Sequence, residues 1–231
     1  MRIGLPDVPA HELVGGRGTA ASLVLPPGGL TIGVDSTGTA VVLLLLREKP
    51  VRARVLAAGP LAQVLAYRAI ALGARVTVVT DQVAAWSRLA GSVPRPWTGQ
   101  NRQPGLTVLP SGSTVSAVGT AASPVLVIDA SVASAALPRW EQGPWQTFVS
   151  LDVPAALRPS DLADLRSYDL LLAERVPPFV VERVRDAYGT PYDQAVWLSQ
   201  LPAGRIAVAV PGQLSVADLS LSAAERMLLN R

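Results

Sequence analysis

The 231 residues are 49% hydrophobic and 16% charged, a balance that supplies a sizeable core and excludes a disordered chain. The formal charge of +3 rests almost wholly on scattered arginines, Lys49 being the sole lysine, so no continuous basic face for nucleic acid is expected. Without cysteine there are no disulfides, thiolate metal sites or cysteine nucleophiles.

Residues 1–18 read as an N-terminal tail, and 19–231 as a single α/β domain. The opening MRIGLPDVPAHELVGG lacks the apolar centre of a signal peptide. His11, the one histidine, falls there, so a Ser-His-Asp triad or a multi-histidine metal site has little to build on. Two apolar runs, ASLVLP and LTIGVD, flank Pro26-Pro27-Gly28-Gly29. LTIGVD, the turn signal Asp35-Ser36-Thr37-Gly38 and TAVVLLLL together predict a hairpin. VVLLLL at 41–46 is strand length, and no stretch reads as a membrane span, so a cytoplasmic chain is expected. Arg47, Lys49, Arg52 and Arg54 are the densest basic group and are expected to flank a strand.

From residue 53 the pattern becomes strand, helix, strand: ARVLAAG, LAQVLAYRAIALG, ARVTVVTD. Continuous apolar strands predict a parallel sheet covered on both faces. DQVAAWSRLAG predicts a short helix, 92–105 a loop, GLTVLP a strand and SPVLVIDA another, ending on Asp129. WQTFVSLD is a further strand, and PSDLADLRSYDLLLAERV a short helix running into a strand. PPFVVERVRDAYG and YDQAVWLSQL read as helices, then GRIAVAVP and QLSVADL as strands before a terminal helix. The fold class is α/β: a mostly parallel sheet flanked by helices, P-loop NTPase-like or Rossmann-like in three layers, with antiparallel hairpin additions at both ends.

The turn Ala58-Gly59-Pro60, between a strand and a helix, lies where many nucleotide-binding folds hold a phosphate. A Walker A loop needs a second glycine, a lysine and a hydroxyl residue. With Gly59 as the first glycine, those positions are Val64, Leu65 and Ala66, which suit a packed helix face. A Walker B strand ends in a metal-binding Asp, usually followed by Glu. Here Asp129 is followed by Ala130, and Asp129 also suits a turn cap. The alternative is a Rossmann dinucleotide site with Ala57, Gly59 and Ala62 in the glycine positions. Asp81, about 22 residues downstream, would then be the ribose acid, although Ala57 and Pro60 weaken the match.

Ser150 with Asp152, and Ser131 with Ser134, lie near strand ends without a base. Asp161 with Asp164, and Glu174 with Glu182, read as solvated faces, and Asp186, Tyr188, Tyr192 and Asp193 as a polar-aromatic knot at helix termini. Trp97, Trp140 and Trp145, in polar Pro/Gly-rich surroundings, are candidate partner-binding residues or loop pins.

In chain order these segments resemble the ATPase domains of the FtsK/SpoIIIE family, above all the EccC-type ATPases of actinobacterial type VII (ESX) secretion. The resemblance runs from about residue 30 to 219. Ile32, Gly33, Val34 and Asp35 match the hairpin before the family's P-loop strand, Val125 to Asp129 its Walker B strand, and Pro202, Gly204 and Arg205 its closing turn. Val64, Leu65, Ala66 and Ala130 depart from the pattern. The resemblance implies a degenerate, non-catalytic relative without cofactor or metal. Its expected partners are proteins, secretion-machine subunits or further copies of itself, with Gly59 and Asp129 as vestiges.

Overall fold

The computed structural model describes residues 29–92, 105–115, 118–131 and 142–229. The N-terminal hairpin is Leu30–Val34 (β1) and Ala40–Leu43 (β2). Its turn is tied by Asp35, whose Oδ1 accepts the Thr37 N–H at 2.8 Å, the Thr37 hydroxyl at 2.6 Å and the Thr39 N–H at 2.9 Å. Val51–Leu56 (β3) leads into Leu61–Ala71 (α1), and Arg75–Thr80 (β4) into Val83–Ser92 (α2). Leu106–Pro110 (β5), Val125–Ala130 (β6), Gln146–Asp152 (β7) and Leu170–Ala173 (β8) follow. The chain closes with helices Pro178–Tyr188 (α3) and Tyr192–Ala195 (α4), strands Arg205–Val210 (β9) and Gln213–Leu219 (β10), and helix Ala223–Leu229 (α5).

These strands form one sheet in the order β2-β1-β10-β9-β8-β3-β7-β6-β4-β5. From β8 to β5 neighbours run parallel, and from β8 to β2 antiparallel. The hairpin from one end of the chain and the strand pair from the other therefore meet at a single edge. Gly33 makes that junction: a Cβ there would run into the carbonyl oxygen of Asp218 on β10.

Side chains alternate between two cores, as covered strands require. Leu170 and Leu172 of β8 join α1 residues Leu61, Leu65 and Ala69 on one face, with Trp86 and Leu89 of α2. Leu171 and Ala173 join Val180, Val184 and Tyr188 of α3 on the other. This is the three-layer α/β class expected from the sequence. Helix α1 is buried around most of its circumference, and its C-terminal end at Ala71 and Leu72 turns to solvent.

Two local expectations change. The stretch expected as a short helix before β8 is a chain of 3-10 turns, Pro154–Ala156, Pro159–Leu162 and Leu165–Ser167. Pro154 and Pro159 open the first two turns, Asp161 Oδ2 takes the Arg158 N–H at the start of the second, and each turn closes within three or four residues. The helix after residue 192 is one turn long before it tightens into a 3-10 turn over Val196–Ser199. No described helix is long and apolar enough to cross a membrane.

Candidate functional site at the turn after β3

In open α/β sheets, ligands bind beyond the carboxyl ends of the strands where the chain reverses its direction of winding. Here that place lies between β3 and β7: β3 leads through α1 toward β4 on one side, and β7 leads to β8 on the other. The Ala57 N–H donates to the Asp152 carbonyl oxygen at 3.0 Å, extending the β3–β7 ladder to the mouth of this crevice.

The turn at Gly59 follows β3 at this end of the sheet, and its donors already have an acceptor. The N–H groups of Ala58 and Gly59 both donate to Glu174 Oε2, at 3.0 Å and 3.2 Å. Glu174 follows β8, and its own N–H donates to the Leu56 carbonyl at 2.9 Å, which sets the acid beside the turn. A Cβ on Gly59 would lie 2.6 Å from Glu174 Oε1, so the missing side chain is what lets this carboxylate approach. Pro60 then enters α1 with no N–H to give. Glu174 is half-exposed, as the sequence suggested, but is held by the turn instead of standing free. Strand β8 pairs directly with β3, and that pairing cannot be read along the chain. Glu182 does behave as expected, pairing on the surface with Arg185 at 2.8 Å.

Behind the turn lies a second polar group. Arg52 and Arg54 do not flank β3 but form part of it. Arg54 is 2% exposed, its Nε donating to Asp152 Oδ2 at 2.9 Å and its Nη1 to Asp164 Oδ1 at 3.0 Å. Its guanidinium carbon lies 5.4 Å from the centre of the Tyr168 ring. Asp164 is thus an ion-pair partner, where the sequence suggested a free solvated acid. Burial opposes the Arg54 charge, but Asp152 and the other neighbours outweigh it and hold the guanidinium above its ordinary pKa. Burial pushes the Asp152 carboxyl up, against the pull of Arg54. The Tyr188 hydroxyl, read from sequence as part of a helix-end knot, is buried, and burial pushes its pKa up. Tyr192 is exposed, 5.9 Å from the Arg185 guanidinium carbon.

The other candidates are spread along the sheet. Asp129 is the penultimate residue of β6, two strands from β3, and its Oδ1 accepts the Ser131 N–H at 3.1 Å and the Ser131 hydroxyl. That is a local turn closed by a carboxylate. Among the described residues, no three acids or histidines converge as a metal would require. Asp81 follows β4, three strands from β3, so a spacing of about 4.8 Å per strand puts it roughly 14 Å across from the turn. The structure does not bring Gly59 and Asp81 together, whereas a Rossmann unit needs their strands adjacent.

Val64, Leu65 and Ala66 are all buried on α1. Leu65 and Ala66 pack on the sheet, while Val64 lines a narrow cleft with Tyr67, Leu89 and Leu228 beneath α5. Trp145 is half-buried at the opposite end of the sheet, its N–H donating to the Glu48 carbonyl at 3.0 Å and its carbonyl accepting the Val125 N–H at 2.9 Å. Trp97, Trp140, Ser134, His11 and the 1–18 tail lie outside the described residues. An aromatic not singled out in the sequence, Trp197, is 62% exposed beside α4. Its signal was available, because Gln194, Ser199 and Gln200 make its surroundings polar.

No protein-family model and no curated protein sequence matches this chain. Solved structures do. VirB4 of Thermoanaerobacter pseudethanolicus superposes with a TM-score of 0.53 at 8% identity, over 86% of this chain and 98% of that one. The pCW3 conjugation coupling protein TcpA, solved as a monomer with ATPγS, gives 0.52 at 8% identity, over 83% of this chain and 65% of that one. At this identity the likeness is one of fold: a P-loop-NTPase-like α/β arrangement that VirB4 and TcpA share.

Proposed function

We propose that this chain is a non-catalytic interaction protein with a degenerate ATPase-like fold, an accessory component of a secretion apparatus. The finer form of the proposal, resting on the resemblance in sequence order, is a partner of type VII (ESX) machinery in actinobacteria. One observation carries the non-catalytic reading: Val64, Leu65 and Ala66 are apolar and buried in the first two turns of α1. Phosphoryl transfer needs an exposed lysine and hydroxyl in that region, facing the phosphates and the metal. Making them core side chains removes both charge and access. The likeness of fold to VirB4 and to a conjugation coupling protein supports the secretion context.

The partners of such a protein are other proteins, secretion subunits or copies of itself, and neither cofactor nor metal is needed for that role. The test has two parts. Purified chain with ATP and magnesium should release no phosphate above buffer and give no heat on calorimetric titration. Co-expression with a type VII secretion ATPase should co-purify the two in fixed stoichiometry. Turnover that is lost on mutating Asp129 would overturn the proposal, and absence of co-purification would overturn its type VII form.

A further inference from the structure

The α3 core ends before the hairpin end of the sheet. Leu214 and Val216 of β10 are half-buried against it, and no residue of β1 or β2 belongs to it. On those two strands the row facing the other core, Leu30, Ile32, Val41 and Leu43, packs with α1. The opposite row is exposed: Thr31 across from Val42, Val34 across from Ala40, and Leu44 just beyond β2. The flanking charges on this face neutralise one another, Arg205 Nε to Asp218 Oδ1 at 2.6 Å. Strand β2 has a neighbour on one side only. Free edges normally carry a charge or a proline that discourages further pairing, yet neither falls anywhere from Ser36 to Leu46.

The point where the described residues begin lies on this row. A Cβ on Gly29 would run into Val42 Cγ1 and stand 3.1 Å from Leu44 Cδ2, so the chain enters β1 across the exposed side chains. Only Pro26, Pro27 and Gly28 separate Gly29 from the apolar run ASLVL at 21–25, which keeps Leu25 within about 14 Å of the row. The stretch from Gly18 to Gly29 is uncharged, like the face beside it. So short a tether gives an effective concentration on the order of millimolar, above that of a partner arriving from solution.

We propose that residues 21–25 are the occupant of this face, with Leu23 and Leu25, two apart as in an extended chain, packed across Val42 and Leu44. The segment then covers the uncharged end of the sheet and keeps it from pairing with another chain. The inference goes beyond the non-catalytic reading and does not depend on it.

The chain has no cysteine, so one introduced thiol reports on one position. In the full chain, Leu44→Cys should react with a maleimide roughly tenfold faster once Leu23→Asp and Leu25→Asp are added, because a charged segment leaves an apolar face. Ala40→Cys, on the same row, is a second reporter that keeps Val42 and Leu44 in place. Val83→Cys, exposed at the start of α2 beside β5 at the opposite edge of the sheet, should react at one rate in both backgrounds. Mild oxidation of Leu25→Cys combined with Leu44→Cys should close a disulfide within one chain. Labelling at residues 40 and 44 that ignores the aspartates overturns the inference, and so does a disulfide that joins two chains. Size-exclusion chromatography then separates the replacements: a dimer assigns the face to a second copy, and a monomer leaves it to a different protein.

Discussion

Arg54 and Asp152 meet side by side on neighbouring parallel strands, Nε to Oδ2 at 2.9 Å, with the guanidinium buried on the face of β3 away from α1. A charge so placed is tolerated only because Asp164 and the Tyr168 ring complete its surroundings. Arg54→Met should therefore lower the unfolding free energy by about 3 kcal/mol, since it strands Asp152 without its partner. Adding Asp152→Asn should recover part of the loss. Urea denaturation of the two variants measures it, and an unchanged midpoint for Arg54→Met would show that the pair is energetically idle.

Leu65 tests the packing of α1 on the sheet. Leu65→Ala should cost about 3 kcal/mol through lost burial and the cavity left behind. Leu65→Asp should abolish soluble expression, because a carboxylate there has no partner in an apolar layer. A well-folded Leu65→Asp chain would put this position at the surface and remove the main support for the non-catalytic reading.

Acid stability reports on the clamp that fastens α5. Glu225 is buried, its Oε1 bonded to Arg68 Nε at 2.5 Å and its Oε2 to Arg68 Nη2 at 2.9 Å and the Ser222 N–H at 2.7 Å. Burial alone would raise its pKa, but the Arg68 and Ser222 hydrogen bonds outweigh that and hold it below the ordinary value of 4.5. A depressed folded pKa contributes stability above the unfolded value that is lost as pH falls through the folded one. Stability should decline as pH drops below 4.5 toward that depressed value. Glu225→Gln should cost about 2 kcal/mol at neutral pH and flatten this part of the acid limb. Thermal melts from pH 3 to 7 make the comparison, and parallel profiles for the two proteins would refute it.

The exposed aromatics near α4 bear on partner binding. Trp197 and Tyr192 are largely solvent-exposed, and such side chains concentrate at binding hot spots. Trp197→Ala should change stability by no more than about 0.5 kcal/mol. If the proposed secretion partner docks on this surface, the same change should weaken the complex at least tenfold in a pull-down titration. Undiminished capture would place the interface elsewhere.

The kinds of element were legible in the chain because they follow from local spacing. The Asp35-Ser36-Thr37-Gly38 turn, the apolar runs of β3, β4 and β6 and the helical pattern of α1 each declare themselves within about a dozen residues. The burial of Val64, Leu65 and Ala66 was legible for the same reason, since an apolar helix after an apolar strand has to cover a sheet. What only the tertiary structure decided is which strands lie side by side. Pairing of β8 with β3 brings Glu174 to Gly59, and pairing of β7 with β3 brings Asp152 to Arg54. In the sequence Glu174 looks solvated and Asp152 merely lies near a strand end, and an arginine at the start of an apolar run looks like its border. Ladder hydrogen bonds and ion pairs join residues about a hundred positions apart, and no local pattern encodes the partner. Two strands, β7 and β6, lie between β3 and β4 and likewise separate Gly59 from Asp81, so the dinucleotide spacing present in the chain dissolves once the sheet is assembled.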